Sequence, residues 1–323
     1  MYTAYRLKSG KATQTASNER KDLSLFDFEK LAQDIAYGPE EMVIDNNLYG
    51  QAYSLKRYAG IKHDLQAYIE HGLFWGGMVH QDEYYWYVKK FITFSENRKE
   101  SITNKGIEKN VICVGPYIHY ASNLYSAENF SQLKSELGKA LLVFPSKSIL
   151  NIESKYDVDE FINEVKRIGK DFKTILVSLY FLDARNKAIT DAYQNQGFKI
   201  VTSGHRYDHY FLDRQRTIIE LADMTMSNEV GTHVGYCVHL NRPHYIFEQK
   251  LERVGSSVKE LKRETKLYEN TEDQQRHAEK QEVIQAFGSY SFEISEKQKE
   301  VIDKYWGTSS TKTPEELKQL LSN

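Results

Sequence analysis

The chain has 323 residues, of which 40% are hydrophobic and 27% are charged, and its formal net charge is −2. This length is sufficient for two domains of ordinary size, and the near-neutral charge argues against a general nucleic-acid-binding protein. The sequence contains no signal-peptide pattern and no apolar run of about 18 residues, the length that a membrane-spanning helix requires. We therefore expect a cytoplasmic protein, with peripheral contact to a membrane left open.

The first part of the chain predicts helices and strands that alternate. Polar residues 1–24 predict a weak edge element and a loop, and the apolar spacing in 25–36 predicts a helix. A strand at 41–44 and a short helix at 53–58 follow. The next predicted strands are 65–70, 90–95 and 111–114, with a helix that begins at residue 96 between the last two.

From residue 140 the same alternation starts again. Residues 121–138 form the predicted link between the two parts, in which a helical segment stops at Gly138. The predicted strands of the second part are 140–144, 175–180, 198–202, 224–226 and 244–247. The predicted helices are 159–168, 189–196, 210–221 and a fourth that runs through Val234, Cys237 and Val238.

The C-terminal region differs in composition. Residues 249–281 are charged and poor in apolar side chains, which predicts a solvated helix or a mobile segment. Helical periodicity returns at 286–307. Thr313 and Pro314 are residue types that cap and begin a helix, so we expect a last short helix there.

This order of elements predicts an α/β protein with two Rossmann-like, doubly wound parallel sheets that face a cleft, followed by C-terminal helices. We expect an N-terminal α/β domain at 1–125, a second α/β domain at 139–285 and the C-terminal helices at 286–323. In such sheets, ligands bind beyond the carboxyl ends of the strands. The residues that follow the predicted strands are therefore the candidates for a functional site.

Polar residues cluster at two of these strand ends. His205 and Arg206 follow the strand 198–202. The second cluster opens a helix, whose N-terminus offers unpaired N–H groups and a dipole that favour an anion. Its members are Ser227, Asn228, Glu229, Gly231 and Thr232. The sequence therefore predicts a bound phosphate at 227–232, although serine and asparagine are also common as simple helix caps.

A histidine follows the predicted strand 65–70. Glu70 and His71 lead into Gly72, and Gly76 and Gly77 close the aromatic segment that comes next. Glycines permit close approach of the backbone to a ligand, and His71 falls at the carboxyl edge of the first sheet. Two sheets in tandem, without a GxGxxG sequence after the first strand, predict a nucleotide-sugar enzyme whose donor lies between the domains.

No metal ion or other cofactor is expected. His233, His239 and His244 are close in sequence, but no carboxylate or cysteine accompanies them at a spacing typical of metal ligands. Cys113 and Cys237 lie in apolar runs, so we expect both to be reduced core residues.

Three stretches resemble bacterial glycosyltransferases of the GT-B class, above all the group that builds capsules, lipopolysaccharide and teichoic acids. They are EHGLFWG at 70–76, VICVGPY at 111–117 and IIELADMTMSNEVGTHVGYCVHLNRPHYIF at 218–247. The resemblance covers about residues 65–248. It implies a GT-B-like fold, a nucleotide-sugar donor bound by the second domain, and a surface-glycan or lipid-linked acceptor bound by the first.

The resemblance also implies roles for single residues. His71 matches the histidine of a His-Gly loop, which is the candidate base. His205 stands where a histidine contacts the donor phosphate, although position 206 is Arg where the family has Pro. The residues 227–232 stand where hydroxyls and amides hold that phosphate. Together these matches imply metal-independent transfer of a sugar to an acceptor hydroxyl.

Several alternatives stay open. Glu70 and Asp82 are alternative bases. A phosphoalcohol transferase of the teichoic-acid type would use a CDP-alcohol instead of a nucleotide sugar. A hydrolysing sugar-nucleotide epimerase would need a carboxylate-rich cleft, which the sequence does not indicate. A non-catalytic protein would bind a nucleotide or a glycan without turnover.

Overall fold

The computed structural model describes residues 2–79, 87–149, 152–255 and 272–322, with side chains from residue 10 in the first range and from residue 274 in the last. Asp82 therefore lies outside the described residues, as does much of the charged segment predicted at 249–281.

The described chain contains two parallel sheets and a short antiparallel ribbon. The strands are β1 (Ala67–Ile69), β2 (Lys90–Thr93), β3 (Asn110–Cys113), β4 (Ala140–Phe144), β5 (Ile152–Lys155), β6 (Thr174–Ser178), β7 (Lys199–Val201), β8 (Met224–Ser227), β9 (His244–Ile246) and β10 (Glu252–Gly255). The α-helices are α1 (Tyr2–Lys21), α2 (Phe28–Leu31), α3 (Gln51–Ala59), α4 (Glu96–Asn104), α5 (Ala127–Leu137), α6 (Val158–Gly169), α7 (Phe181–Ala184), α8 (Lys187–Gln194), α9 (Phe211–Leu221), α10 (Thr232–His239), α11 (Glu272–Phe287), α12 (Glu296–Trp306) and α13 (Pro314–Ser322). The predicted α/β class with two parallel sheets is confirmed.

The strand order of the larger sheet fixes where a ligand is expected. The first sheet has the order β1-β2-β3, and the second has the order β7-β6-β4-β8-β9, with every pair parallel. The second sheet thus starts in its middle, at β4, and winds first to one side and then to the other. The order reverses between β4 and β8, which is the switch point at which doubly wound sheets bind ligands.

The strands of the second sheet were predictable because they are covered on both faces. All five residues of β4 are buried, and a continuous apolar run is typical of a parallel strand that helices cover on both sides. Phe161 and Val165 of α6 pack with Leu141 of β4 in one cluster. Asp157 caps α6 by accepting a hydrogen bond from the N–H of Glu160.

The C-terminal helices pack against both sheets. Trp306 of α12 is fully buried, its ring centroid lies 5.6 Å from that of Trp75, and its Nε1 donates to the carbonyl of Thr232 at 3.0 Å. In α13, the carbonyl of Leu320 accepts from Lys90 Nζ at 2.7 Å, which joins the helix to β2. A single hydrophobic cluster includes residues of both sheets and of these helices. The domain boundaries at 125, 139 and 285 stay a prediction.

Two predictions near the N-terminus are wrong. Residues 2–21 form a helix instead of an edge element, although their sequence has little apolar periodicity. Tertiary polar contacts hold this helix: Thr13 exchanges hydrogen bonds with Gly38, and the hydroxyl of Ser17 accepts from His209 N–H. The helix predicted at 25–36 is limited to α2, because Arg20 binds the carbonyls of the chain that follows it.

The strand predicted at 41–44 is also absent. Glu41 is buried and accepts from Lys56 Nζ at 2.6 Å and from Leu65 N–H at 2.8 Å, and the chain then enters a 3-10 helix at Ile44–Asn47. Hydrogen bonds of polar side chains, and not a ladder of backbone hydrogen bonds, hold this segment in place. Within the predicted segment 249–281, β10 pairs with β5 and α11 begins at residue 272. The helical periodicity at 286–307 belongs to two helices, the end of α11 and α12.

Two further findings bear on the sequence expectations. Cys113 and Cys237 are both buried and unbridged, as predicted for reduced core residues. Within the described ranges, no helix combines the length and the apolar character needed to cross a bilayer.

Candidate functional site

The loops after β4 and β8 are joined at the switch point. Ser146 N–H donates to Asn228 Oδ1, and Ser146 Oγ donates to Glu229 Oε2, both at 2.6 Å. The carboxylate of Glu229 also accepts from Arg253 at 2.7 and 2.8 Å. Burial on its own would raise the pKa of Glu229, but Arg253 and the Ser146 hydroxyl hold that pKa below its usual value. Glu229 is therefore a charged, fixed part of this edge.

Helix α10 starts directly after this loop. Gly231 is its N-cap residue, and no side chain caps the helix. Ser227 is 0% exposed, and its hydroxyl donates to the carbonyl of Glu229 at 2.9 Å and lies 3.0 Å from His244 Nε2. The Asn228 amide donates to Gln249 Oε1 at 3.0 Å. The side chains of Ser227 and Asn228 thus form hydrogen bonds within the protein that hold the loop. The backbone at the start of α10, by contrast, has no side-chain cap.

The loop with His71 meets the start of α10. The Leu73 N–H donates to Thr232 Oγ1 at 3.1 Å, so the glycine-rich loop of the first sheet contacts the first residue of α10. His71 Nδ1 lies 3.7 Å from the nearer oxygen of Asp45, longer than a hydrogen bond, and its ring packs edge-on against Phe74. The structure therefore brings His71 and Thr232, two predicted site residues that are far apart in sequence, to the same edge of the cleft.

Glu70, the neighbour of His71, has a different environment. It is 1% exposed, and its carboxylate accepts from Arg98 through Nε and Nη2 and from Thr93 Oγ1 at 2.7 Å. Both oxygens are thus occupied by buried donors. This arrangement is that of a structural ion pair, and it corrects the expectation that Glu70 is available as a base. Asp82, the other alternative, lies outside the described residues.

His205 and Arg206 are placed differently from each other. His205 is 6% exposed, packs on Phe181 and has Nε2 at 3.6 Å from Asp34, while burial lowers its pKa to about 4. Its contacts are thus with the segment around Asp34. The carbonyl of Arg206 accepts from Tyr49 N–H at 2.6 Å, and its guanidinium lies 4.8 Å from the ring of Tyr207.

Tyr49, Tyr180 and Lys147 form a cluster that the sequence did not indicate. Tyr49 has φ of +56°, a conformation that bulky residues rarely adopt, and its hydroxyl lies 3.5 Å from that of Tyr180. Lys147 Nζ lies 5.6 Å and 5.1 Å from the two ring centroids. Strained residues persist where surrounding contacts fix them, and they are frequent at ligand sites. The only signal in the sequence was the position of Lys147 directly after a predicted strand.

His233 is a second residue whose placement the sequence did not reveal. Its ring stacks on Phe144 with centroids 4.7 Å apart, and its buried Nε2 has no hydrogen-bond partner. Burial is the main reason that the pKa of His233 falls to about 3, so the ring is neutral at ordinary pH. A buried imidazole nitrogen without a partner is unusual, and this one belongs to the first turn of α10.

Metal ligands are not assembled in the described part of the chain. No group of three or more His, Cys, Asp and Glu side chains is arranged there to hold a metal ion. Asp157 and Asp159 have the Asp-x-Asp spacing that is found in metal-dependent donor sites. They lie at the start of α6, where Asp157 serves as the helix cap described above. Of the three histidines that are close in sequence, His239 lies 3.2 Å from His119 and is apart from the other two. The rings of His233 and His244 lie 5.7 Å apart, and both ring nitrogens of His244 lie within hydrogen-bond distance of the hydroxyls of Thr225 and Ser227.

Comparison with known proteins gives the following. No family model matches the chain, and a search of curated proteins found no match. Among solved structures, S. aureus MnaA in a co-structure with UDP has a TM-score of 0.39 and 11% identity, over 83% of this chain and 68% of the other. UDP-GlcNAc 2-epimerase from Neisseria meningitidis bound to UDP-GlcNAc has a TM-score of 0.38 and 12% identity, over 84% of this chain and 73% of the other. Neither similarity decides what this chain binds or catalyses.

The fully and partly buried histidines predict a pH dependence of stability. Burial lowers the pKa of five of them, to about 4 for His205 and His239 and to about 3 for His233; the others are His119 and His244. Because an unfolded histidine titrates near about 6.5, the stability that these neutral rings contribute is complete above that pH and is lost as the pH falls toward about 4. We expect the free energy of unfolding, measured by urea denaturation, to decrease by several kcal/mol between about pH 7 and about pH 5.

The control for this measurement is His239→Asn, which keeps a neutral polar side chain and removes one titrating ring. Its stability should depend less steeply on pH than that of the wild type. Equal unfolding midpoints for the wild type at both pH values would contradict the assignment of neutral, buried histidines.

Proposed function

We propose that the chain is an enzyme that acts on a nucleotide sugar and transfers its glycosyl group to an acceptor hydroxyl. The observation that carries the proposal is the contact between Leu73 N–H and Thr232 Oγ1 at 3.1 Å. This contact sets a histidine–aspartate pair beside the uncapped start of α10, at the edge where a doubly wound sheet binds its ligand. A surface-glycan or lipid-linked acceptor is part of the proposal, as is peripheral contact with a membrane.

In the proposed reaction, His71 takes the proton of the acceptor hydroxyl as that oxygen attacks the sugar. Asp45, at 3.7 Å from Nδ1, orients the ring and stabilises the imidazolium that forms, since such contacts commonly tighten when substrate binds. The bond between the sugar and the phosphate oxygen breaks, and negative charge develops on that phosphate. The backbone N–H groups of α10 and the cations Lys147 and Arg253 stabilise this charge.

The test is an assay of nucleotide release from a panel of UDP-, GDP-, CDP- and CMP-sugars, with and without glycan and lipid-linked acceptors. Acceptor-dependent release of a nucleotide together with a glycosylated product supports the proposal. Turnover of CDP-glycerol or CDP-ribitol alone would replace it with phosphoalcohol transfer. Binding of a nucleotide without turnover of any donor would indicate a non-catalytic nucleotide-binding protein.

A second candidate is epimerisation of the nucleotide sugar without an acceptor. The observation that favours it is the proximity of Asp45 to His71, because two proton-transfer groups beside one sugar carbon are the equipment that removal and return of a proton requires. Incubation of UDP-GlcNAc in D₂O without an acceptor separates the two functions. Epimerisation predicts deuterium at the inverted carbon, whereas transfer predicts an unchanged sugar.

We expect transfer to be independent of divalent metal ions. The proposed site stabilises the leaving phosphate with the start of α10 and with cationic side chains, so it does not require a metal for that step. Activity should therefore be unchanged in EDTA. Loss of turnover in EDTA, with recovery on addition of Mg²⁺ or Mn²⁺, would show that a metal ion is required.

A further inference from the structure

Trp306 is the last residue of α12, and the chain at this point is fixed to the first sheet. The next residue, Gly307, ends the helix with φ of +63°. A Cβ at Gly307 would overlap the carbonyl oxygen of Phe94, which follows β2, and a Cβ at Gly115, which follows β3, would lie 2.7 Å from the Gly307 carbonyl oxygen. Only glycine permits such a close approach in this backbone conformation. The end of α12 is therefore held at the carboxyl edge of the first sheet.

The side chain of Trp306 is fixed to α10, next to the second sheet. The fully buried indole lies directly on the backbone of this helix, where a Cβ at Gly235 would overlap the indole atoms Cγ, Cδ1 and Cδ2. Glycine inside a helix is less favourable than alanine, and this contact accounts for its presence. The indole Nε1 donates to the carbonyl of Thr232, the first residue of α10, at 3.0 Å. The ring and its N–H thus hold α10 at two places.

Thr232 is held from two directions. Its carbonyl accepts from Trp306, and its Oγ1 accepts from the Leu73 N–H at 3.1 Å, in the loop that also contains His71. Trp75 of the same loop lies edge-on to the indole of Trp306, with ring centroids 5.6 Å apart. Trp306 therefore contacts both sides of the hydrogen bond between Leu73 and Thr232.

We propose that Trp306 is a positioning residue of the proposed active site and that it sets the distance between His71 and the start of α10. The inference rests on the proposed function, in which His71 accepts the proton of the acceptor while the start of α10 stabilises charge on the phosphate. His71 belongs to the first sheet, whereas the phosphate contacts belong to the side of the second. Trp306 joins the two, because its main chain is fixed to one and its side chain to the other.

The variant Trp306→Phe tests the hydrogen bond to Thr232, since it keeps an aromatic ring and removes the N–H. We expect kcat to fall by about 10- to 100-fold, because a displacement of about 1 Å between reacting groups can cost about 10²-fold in rate. The Kd of the nucleotide, measured by calorimetry, should stay near that of the wild type, because the phosphate contacts lie together on one side of the cleft. A residue that served stability alone would leave kcat per folded molecule unchanged.

The neighbouring residue supplies the matched control. Tyr305 is also a buried aromatic residue of α12, and its hydroxyl donates to Glu282 of α11 at 2.7 Å. Tyr305→Phe therefore removes one hydrogen bond of a buried side chain from the same helix and leaves the bond to Thr232 in place. It should keep the kcat of the wild type. An equal decrease of kcat in Tyr305→Phe and Trp306→Phe would overturn the inference, because any loosening of α12 would then have the same effect.

Gly235→Ala tests the contact between the indole and the backbone of α10. The added methyl group overlaps the indole, so this variant should lose both stability and turnover, although alanine is the better helix former. The overlapping atoms are absent in Trp306→Ala, and in that background Gly235→Ala should not lower the unfolding midpoint further. An equal loss of stability in both backgrounds would contradict the assigned contact.

Hydrogen exchange provides a readout that does not depend on turnover. The Leu73 amide donates to Thr232 Oγ1, so Thr232→Val gives the exchange rate of this amide without its acceptor. We expect the exchange of Leu73 in Trp306→Phe to shift toward that of Thr232→Val, while the amides of β4 stay protected. Exchange of Leu73 at the wild-type rate in Trp306→Phe would be evidence against the inference. Faster exchange of Leu73 in that variant, together with no transfer from any donor by the wild type, would refute the proposed function and leave Trp306 as the residue that positions α10.

Discussion

Replacing His71 with alanine is expected to lower turnover by about 10²–10⁴-fold, the usual contribution of a general base, and to leave nucleotide affinity nearly unchanged. The reason is that the proposed base and the proposed phosphate contacts belong to different elements of the fold. His71 belongs to the loop after β1, whereas the proposed phosphate contacts come from the loop after β4, from α10 and from β10. Steady-state kinetics with the preferred donor measures the first effect. Nucleotide-dependent thermal stabilisation measures the second, because a bound ligand raises apparent stability by mass action.

Three variants make this result specific. His63→Ala removes an exposed histidine whose one hydrogen bond among the described residues is with the neighbouring carbonyl of Asp64, and it should keep full activity. Asp45→Asn should lower turnover less than His71→Ala does, because Asp45 acts through the imidazole. Asp82→Asn tests the remaining alternative base: an inactive Asp82→Asn variant beside an active His71→Ala variant would transfer the role of base to Asp82.

The strands and helices that the sequence predicted are those whose stability is local or fully apolar. β4 is a run of five buried residues, and α9 has apolar residues at helical spacing. Both patterns can be read within one window of the chain. Helix α1 has no such pattern, because its polar partners lie outside the helix: Gly38 for Thr13, 25 positions away, and His209 for Ser17, 192 positions away. The sequence therefore could not reveal α1, and the fold that it did reveal consists of the two sheets.

The same limit explains which site residues were found. His71 and Thr232 were predictable because a strand end or a helix start marks each of them in sequence. Ser227 was predicted to hold a phosphate, yet its hydroxyl is satisfied inside the loop. A motif indicates which loop lies at the site, whereas tertiary contacts decide which side chains remain available to a ligand.

The ion pair of Glu70 and Arg98 is expected to have the largest effect on stability of any side-chain contact near the site. Arg98 is 2% exposed, and besides Glu70 it binds the carbonyls of Gly76 and Met78. Replacing either partner by alanine leaves the other charge buried without compensation, which typically costs about 3–5 kcal/mol. Urea denaturation of Glu70→Ala and of Arg98→Ala measures this loss.

The neighbouring residue of α4 supplies a matched control. Lys99 forms an exposed ion pair with Glu96 at 3.1 Å, so Lys99→Ala should change the free energy of unfolding by less than about 1 kcal/mol. The double variant Glu70→Leu/Arg98→Met should recover much of the stability that either single variant loses, because no buried charge remains. Its activity should nevertheless stay low, since the carbonyls of Gly76 and Met78 lose the guanidinium that holds the loop beside His71. Wild-type stability in both single alanine variants would show that water reaches this pair, and Glu70 would then again be a candidate for the base.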